Sequence, residues 1–292
     1  MLKLFILRFL FWVPDSLMVS AQYFVRHHRI LRLKNPVLYT EKLQCYKLYY
    51  RDPVIKKCTD KYNVREFVES RGYGHLLNEV YAAYEHAEEI DVNKLPNIFV
   101  MKSTTGGGGR NIIFVDRIKK KVSSVELRKV VSPLFKINKK SAGREWAYYG
   151  LKPKVIAEKL LSPPQGNSLT DYKFFCFDGE PYYVLLCDER FSRDGVKKAF
   201  FDLNKKYVDI GIEEYQFGCD GEDVPNPRWP ENFEEMVSVA RDLSQGFPHV
   251  RVDLYNMAGK IYFGELTFYD ASGYKKYMKL DSVMGKLFSL PG

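Results

Sequence analysis

The sequence predicts an α+β fold, and three observations predict it. The front of the chain carries apolar residues at helical spacing behind capping residues, as in TEKLQCYKLYY and TDKYNVREFVESRGYG. The stretch FVMKSTTGGGGRNIIFV, from Phe99 to Val115, sets four glycines between two apolar runs that read as strands. From Val155 the chain is mostly strand-like runs broken by Asp-Gly, Asn and Gly turns. A helical front, a small sheet bearing the glycine loop and a larger antiparallel sheet imply a cleft between sheets.

The first element is MLKLFILRFLFWVPD. Its apolar run is shorter than the ~20 residues that span a bilayer. Lys3 and Arg8 interrupt it, and no small-residue cleavage site follows. Two readings stand: residues 1–13 form an interfacial helix in peripheral contact with a membrane, or a helix packed on the body. In the next helices Thr40 is a candidate cap, as is Thr59 or Asp60, with Gly72 or Gly74 as a stop. VYAAYEHAEEI reads as a further short helix, and Ser123 to Phe135 as a basic one.

The runs VIAEKLL, DYKFFCFDGEPYYVLLCDE, KKAFFDLNKKYVDI and HVRVDLYNMAGKIYFGELTF read as strands, with turns at Asp178-Gly179, at Asn204 and near Gly259. One helix intervenes, Phe233 to Phe247, with Phe233, Met236, Val237, Ala240 and Leu243 on one face. The chain divides into a basic, aromatic helical region 1–58, a part 59–150 with the glycine hairpin, and a part 151–292 with the larger sheet.

A chain of 292 residues that is 46% apolar and 15% aromatic can bury a large core in one to three domains. A net charge of +9 favours an anionic partner. Nucleic acid has only that charge in its favour and is not expected. Five cysteines without a CxxC pair, Cys45, Cys58, Cys176, Cys187 and Cys219, point to reduced thiols in the cytosol. The five histidines are dispersed and form no HExxH, so zinc is not expected either.

Four glycines exceed what a tight turn needs. Their bare amides suit a phosphate cradle; the alternative is a floppy hairpin tip. No Gly-Lys-Ser/Thr follows, so this is not a Walker A loop, and Lys102 ends the preceding strand instead. Alternation puts Arg251 and Asp253 on one face of a strand, and Glu265 and Thr267 on the same face of its hairpin partner. Facing carboxylates repel unless a cation or proton lies between them. Magnesium suits such a pair; a polar sheet face with Asp253 paired to Arg251 or a lysine is the other reading. Glu158 to Leu161, followed by a Pro/Gly loop, fits an adenine slot or a solvent-facing strand end.

Taken in order, DKYNVREFVESRGYG, FVMKSTTGGGGRNI, VIAEKLL, DYKFFCF and RVDLYNMAGKIYFGELTF resemble the successive motifs of the ATP-grasp superfamily, whose members include D-alanine:D-alanine ligase. With KNPVLYTEKLQCYKLYYRDP, the chain from about Asn35 to about Tyr274 resembles the TupA-like branch of teichuronopeptide, capsule and O-antigen biosynthesis clusters. The resemblance implies an ATP-grasp fold, two α+β subdomains clamping a nucleotide between antiparallel sheets. Lys61 and Lys102 match lysines that hold ATP phosphates, and Gly106, Gly107, Gly108 and Gly109 match the hairpin that closes over them. Glu158, Lys159, Leu160 and Leu161 match the adenine-binding hinge. Asp171 falls where a ribose-binding glutamate is usual, and Lys173 corresponds to a basic position that reaches phosphate or substrate. Asp253 and Glu265 match Mg²⁺ ligands, and Arg251 matches the arginine that steadies the acyl phosphate. Thr267 stands where the family often has Asn, the loop from hinge to ribose position is longer than usual, and the domain ahead of the grasp is short.

By the same resemblance, ATP and Mg²⁺ are the cofactors and the activity is that of a carboxylate-amine ligase releasing ADP and phosphate. The substrates implied are a uronic acid, free or on an anionic glycan, and an amine or amino acid. The alternative is a glycosyltransferase using a sugar nucleotide, although no DxD-like motif sits at a strand end.

Overall fold

The computed structural model describes residues 10–106, 112–137, 142–162, 169–188, 197–210, 227 and 229–291. The chain forms two compact units. One comprises Met1–Asp52, Ala142–Trp146 and Pro163–Gly292, the other Pro53–Ser141 and Ala147–Ser162.

The smaller unit holds an antiparallel sheet of β1 (Val80–Tyr84), β2 (Ile98–Ser103), β3 (Ile112–Asp116) and β4 (Val155–Glu158), in the order β1-β4-β2-β3. Alternation sends Phe99, Met101, Val115, Val155 and Ala157 into one core with Leu127 and Val131 of the helix Ser124–Val131. Ser123 caps that helix, its hydroxyl accepting from the Glu126 amide at 3.2 Å while Glu126 accepts from the Ser123 amide at 2.9 Å. The register leaves Val100, Lys102, Ile112, Phe114, Ile156 and Glu158 on the opposite face.

The strand β1 corrects one expectation. VYAAYEHAEEI is not a helix: residues 80–84 pair antiparallel with β4, and only Ala87–Glu89 makes a helical turn. Alanine and glutamate favour helices weakly, and sheet pairing outweighs that preference. The strand β4 lies in this small sheet beside β2, although a division at residue 150 groups it with the carboxy-terminal strands.

The larger unit holds β5 (Asp171–Phe177), β6 (Glu180–Asp188), β7 (Lys197–Asp202), β8 (His249–Met257) and β9 (Lys260–Thr267), in the order β7-β6-β5-β8-β9, all antiparallel. Asp178-Gly179 and Ala258-Gly259 close two-residue hairpins with positive φ at all four positions. Helix Phe233–Ser244 covers one face, and its five expected apolar residues are all buried. The rings of Phe174 and Phe233 meet at 5.9 Å there.

Helices Tyr39–Tyr49 and Met278–Leu287 cover one end of the other face, where Tyr39 stands against Phe177, His249, Tyr277 and Phe288. Thr40 is not an N-cap. It lies inside the first turn and gives its amide and hydroxyl to Asp281, at 2.8 and 2.9 Å. Glu41 instead accepts the Val37 and Leu38 amides, both at 3.0 Å. Cys45, Cys58, Cys176 and Cys187 are buried thiols; Cys219 and residues 1–9 lie outside the described residues. Among the described residues no helix is long and apolar enough to cross a membrane.

Candidate functional site

In the smaller unit the candidate residues gather around the end of β2. Lys102 and Glu158 stand diagonally across β2 and β4, and their side chains meet at 2.5 Å. Lys61 follows Asp60, which accepts the Tyr62 and Asn63 amides at 2.9 Å each and so turns the chain into helix Val64–Ser70. The Lys61 amide donates to the Thr104 carbonyl and its ammonium to the Gly106 carbonyl, both at 2.8 Å. Lys61 is thereby tied to the segment that follows β2, the strand that carries Lys102. Gly106 has φ of 101°, which favours glycine; Gly107, Gly108 and Gly109 lie outside the described residues.

Beyond β4, the Lys159 amide donates to the Glu79 carbonyl at 2.9 Å, and the Lys159 carbonyl accepts from Asn78 at 2.8 Å. These bonds fix the backbone through which Leu160 and Leu161 leave the sheet. Sequence reasoning missed Asn78, because its partner is 81 residues away.

In the larger unit one row of register partners runs across the sheet: Phe200, Leu185, Lys173, Asp253 and Glu265. Asp253 and Glu265 are direct partners. The pairing depends on Gly264. A two-residue turn at Ala258-Gly259 pairs Met257 with Lys260 and Leu254 with Phe263; carried further unchanged, it would set Gly264 opposite Asp253. A bulge at Gly264 shifts the register by one residue and brings Glu265 there instead. A side chain at Gly264 would put Cβ 2.9 Å from the Asp253 carbonyl oxygen.

Arg251 grips Asp253 with two parallel bonds, Nε to Oδ1 at 2.7 Å and Nη2 to Oδ2 at 2.8 Å. Lys173 donates to Asp253 Oδ2 and lies 2.6 Å from Asp171 Oδ2. Burial opposes charge on Lys173, but the Asp171 and Asp253 carboxylates outweigh it and raise its pKa above the ordinary lysine value. Burial opposes the Arg251 charge too, and Asp253 and Asp270 hold that pKa well above its usual value. Arg251 Nη2 also reaches Thr267 Oγ1 at 3.1 Å and lies 3.9 Å from Glu265.

Asp253 and Glu265 are two hard oxygen donors on facing strands, of the kind used by an ion that takes one or two carboxylates with phosphate oxygens and water, and Asp253 is at the same time paired to Arg251 and Lys173, the other reading of this sheet face. Among the described residues no group of three or more His, Cys, Asp or Glu side chains is placed to hold a metal by itself. Asp171, expected at a ribose position, is fully buried against Lys173.

Asp270 and Tyr277 escaped the sequence reading. Asp270 accepts from Arg251 Nη1 and from the Tyr277 hydroxyl. Burial pushes its pKa up, Arg251, Lys275 and Tyr277 push it down, and the result is about 2. An acid just past a strand in TFYDASGY gives no periodic signal.

The sequence profile of the TupA-like ATPgrasp family matches residues 41–289. The chain belongs to that family. A TupA-like ATPgrasp protein has the α+β ATP-grasp fold, and the two antiparallel sheets are those of that fold. Comparison with curated proteins finds no match.

Solved structures similar to this TupA-like chain include an N5-carboxyaminoimidazole ribonucleotide synthetase in its ADP complex, at 16% identity and TM-score 0.45, covering 74% of this chain and 46% of that one. A D-alanine-D-alanine ligase from Helicobacter pylori is similar at 14% identity and TM-score 0.44, covering 80% and 61%. An L-amino acid ligase from Bacillus licheniformis is similar at 13% and 0.45, covering 95% and 61%. The chain thus spans 46% to 61% of the lengths of these three proteins. The family match, not these likenesses, carries the assignment.

Proposed function

We propose that this TupA-like protein is an ATP-dependent carboxylate-amine ligase working through an acyl phosphate, and that it joins an amine or amino acid to a uronic acid of a surface polysaccharide or its precursor. The observation that carries the reading is the sheet face on which Lys173, Arg251, Asp253 and Glu265 occupy adjacent register positions, in a chain of this family. A carboxylate resists attack by an amine because oxide is a poor leaving group. Transfer of a phosphoryl group to the carboxylate supplies a better one.

In this reading Lys61 and Lys102 hold ATP phosphate oxygens, with the amides of Gly106 to Gly109 completing the cradle. Glu158 orients Lys102, and the backbone of Lys159 to Leu161 offers its edge to adenine. Asp171 holds the Lys173 ammonium in place rather than binding ribose, because its carboxylate is buried against that lysine. Asp253 and Glu265 hold Mg²⁺, which when bound disperses charge on a transferring phosphoryl group. Arg251 presents a fixed positive charge to the oxyanion that forms when the amine adds, and the glycine hairpin keeps water from the acyl phosphate, a hydrolysable mixed anhydride.

The test is incubation with Mg²⁺-ATP, glucuronic acid and a mixture of amino acids, followed by phosphate release and product mass. Phosphate release that needs both acceptors, with an amide product, supports the ligase. Consumption of a sugar nucleotide in place of ATP would establish the transferase instead.

A further inference from the structure

We propose that the loop Asp270–Gly273 is a positioning element for Arg251: Asp270 sets the plane of the guanidinium, and the groups that clamp the loop keep Asp270 in place. The functional consequence rests on the ligase reading; the positioning itself does not.

The geometry around Arg251 is over-determined. Asp253 takes Nε and Nη2, which leaves Nη1, and Asp270 takes that one. With both edges of the fork engaged, the guanidinium cannot turn about its own axis without breaking a buried charge-assisted bond. Asp270 is fixed in turn by the Tyr277 hydroxyl on its other oxygen. Lys275 lies 3.9 Å from that oxygen and over the rings of Phe200 and Tyr277, at 5.1 and 4.9 Å.

The loop that carries Asp270 is strained. Ala271 and Ser272 are consecutive left-handed residues, φ 45° and 55°, neither of them glycine. L-residues rarely adopt this conformation in succession, and it persists only where the surroundings enforce it.

Here they do. The fully buried Lys47 donates to the Ser272 carbonyl at 2.8 Å with its ammonium 4.6 Å from the Tyr274 ring. Gln44 donates to the Ser272 and Gly273 carbonyls at 3.0 and 2.9 Å. The Ser272 hydroxyl donates to Glu145 at 2.7 Å. A buried lysine, a buried amide and a carboxylate from distant parts of the chain thus converge on four residues. Their common effect is to hold the one carboxylate that completes the grip on Arg251.

The test follows the Arg251 side chain in the nucleotide-free full-length protein with nitrogen-15-labelled arginine, its signals assigned with Arg251→Lys. Intact protein is expected to give resolved Nη signals from hindered rotation. In Asp270→Asn, rotation about the guanidinium bonds is expected to speed up at least tenfold, on the order of the loss of one charge-assisted bond. Unchanged rotation in a folded Asp270→Asn overturns the proposal. Should that variant not fold, Tyr277→Phe takes its place, with faster rotation supporting and unchanged rotation overturning. With Mg²⁺-ATP, glucuronate and hydroxylamine as probes, Asp270→Asn is expected to lose kcat by about 10- to 100-fold, as for other supporting groups, while KM for ATP stays within about threefold. A rise in KM with kcat intact overturns the positioning role. If intact protein forms no ADP with these probes, the ligase reading loses support, and the rotation measurement alone decides the positioning.

Discussion

Glu265 faces Asp253 only because one extra residue, Gly264, separates the hairpin turn from the carboxylate. The turn at Ala258-Gly259 sets one register, and the bulge resets it before the strands reach Asp253. A Cβ at Gly264 would press on the Asp253 carbonyl. Gly264→Ala is therefore expected to lower stability by about 1–3 kcal/mol, the usual effect of overpacking, and to weaken Mg²⁺-dependent nucleotide binding. Urea unfolding and calorimetric titration check the two effects.

Thr267 connects the arginine to the second carboxylate, accepting from Arg251 at 3.1 Å and donating to Glu265 at 3.4 Å. Thr267→Val keeps the shape and removes both bonds. It is expected to reduce ATP turnover about tenfold, in line with loss of a supporting contact, with little change in unfolding temperature.

His249 makes stability depend on pH. Its Nδ1 donates to the Cys176 carbonyl at 2.8 Å and its Nε2 accepts from the Tyr39 hydroxyl at 3.0 Å, so the folded state needs the neutral ring. Burial lowers its pKa to about 4, and burial lowers that of His27 to about 4 as well. The unfolded chain takes up these protons near pH 6.5 and the folded chain only near pH 4. Stability is full above pH 6.5 and falls as pH drops through that window. From His249 alone, unfolding free energy is expected to fall by about 2 kcal/mol between pH 7 and pH 5. His249→Gln, which retains a donor and an acceptor, should flatten the curve measured by urea unfolding.

Ala271→Gly relieves one left-handed residue of the Asp270–Gly273 loop. The relief is worth about 1–2 kcal/mol, offset by about 0.5–1 kcal/mol of extra chain entropy in the unfolded state. A rise in Tm of about 1–3 °C is expected by calorimetry.

The larger sheet is legible in the sequence because its strands alternate and its hairpins carry Asp-Gly and Ala-Gly turns. Alternation places Asp253 beside Arg251 and Glu265 beside Thr267, but it does not by itself set Glu265 opposite Asp253. The bulge that makes that pairing possible shows only as a glycine inside a strand, and a lone glycine does not say which neighbour gains a residue. The strand at 80–84 is hidden because its alanines and the glutamates that follow it suit a helix, and pairing with a strand some 75 residues away decides otherwise. Lys47 and Asn78 are invisible for a related reason, since each takes its role from a partner far along the chain, while Asp270 lies just past a strand where no periodicity marks it. Lys102 stands out from its place before the glycines, whereas Lys61 is joined to it only by the family resemblance.

The central claim is that Lys102 and Glu265 each contribute to binding Mg²⁺-ATP. Calorimetric titration of Mg²⁺-ATP into the intact protein, Lys102→Ala and Glu265→Gln tests it most directly. One nucleotide per chain is expected, with each substitution weakening binding by about 10- to 100-fold, the range for one charge-assisted contact. Binding of the same strength in all three proteins would contradict the claim.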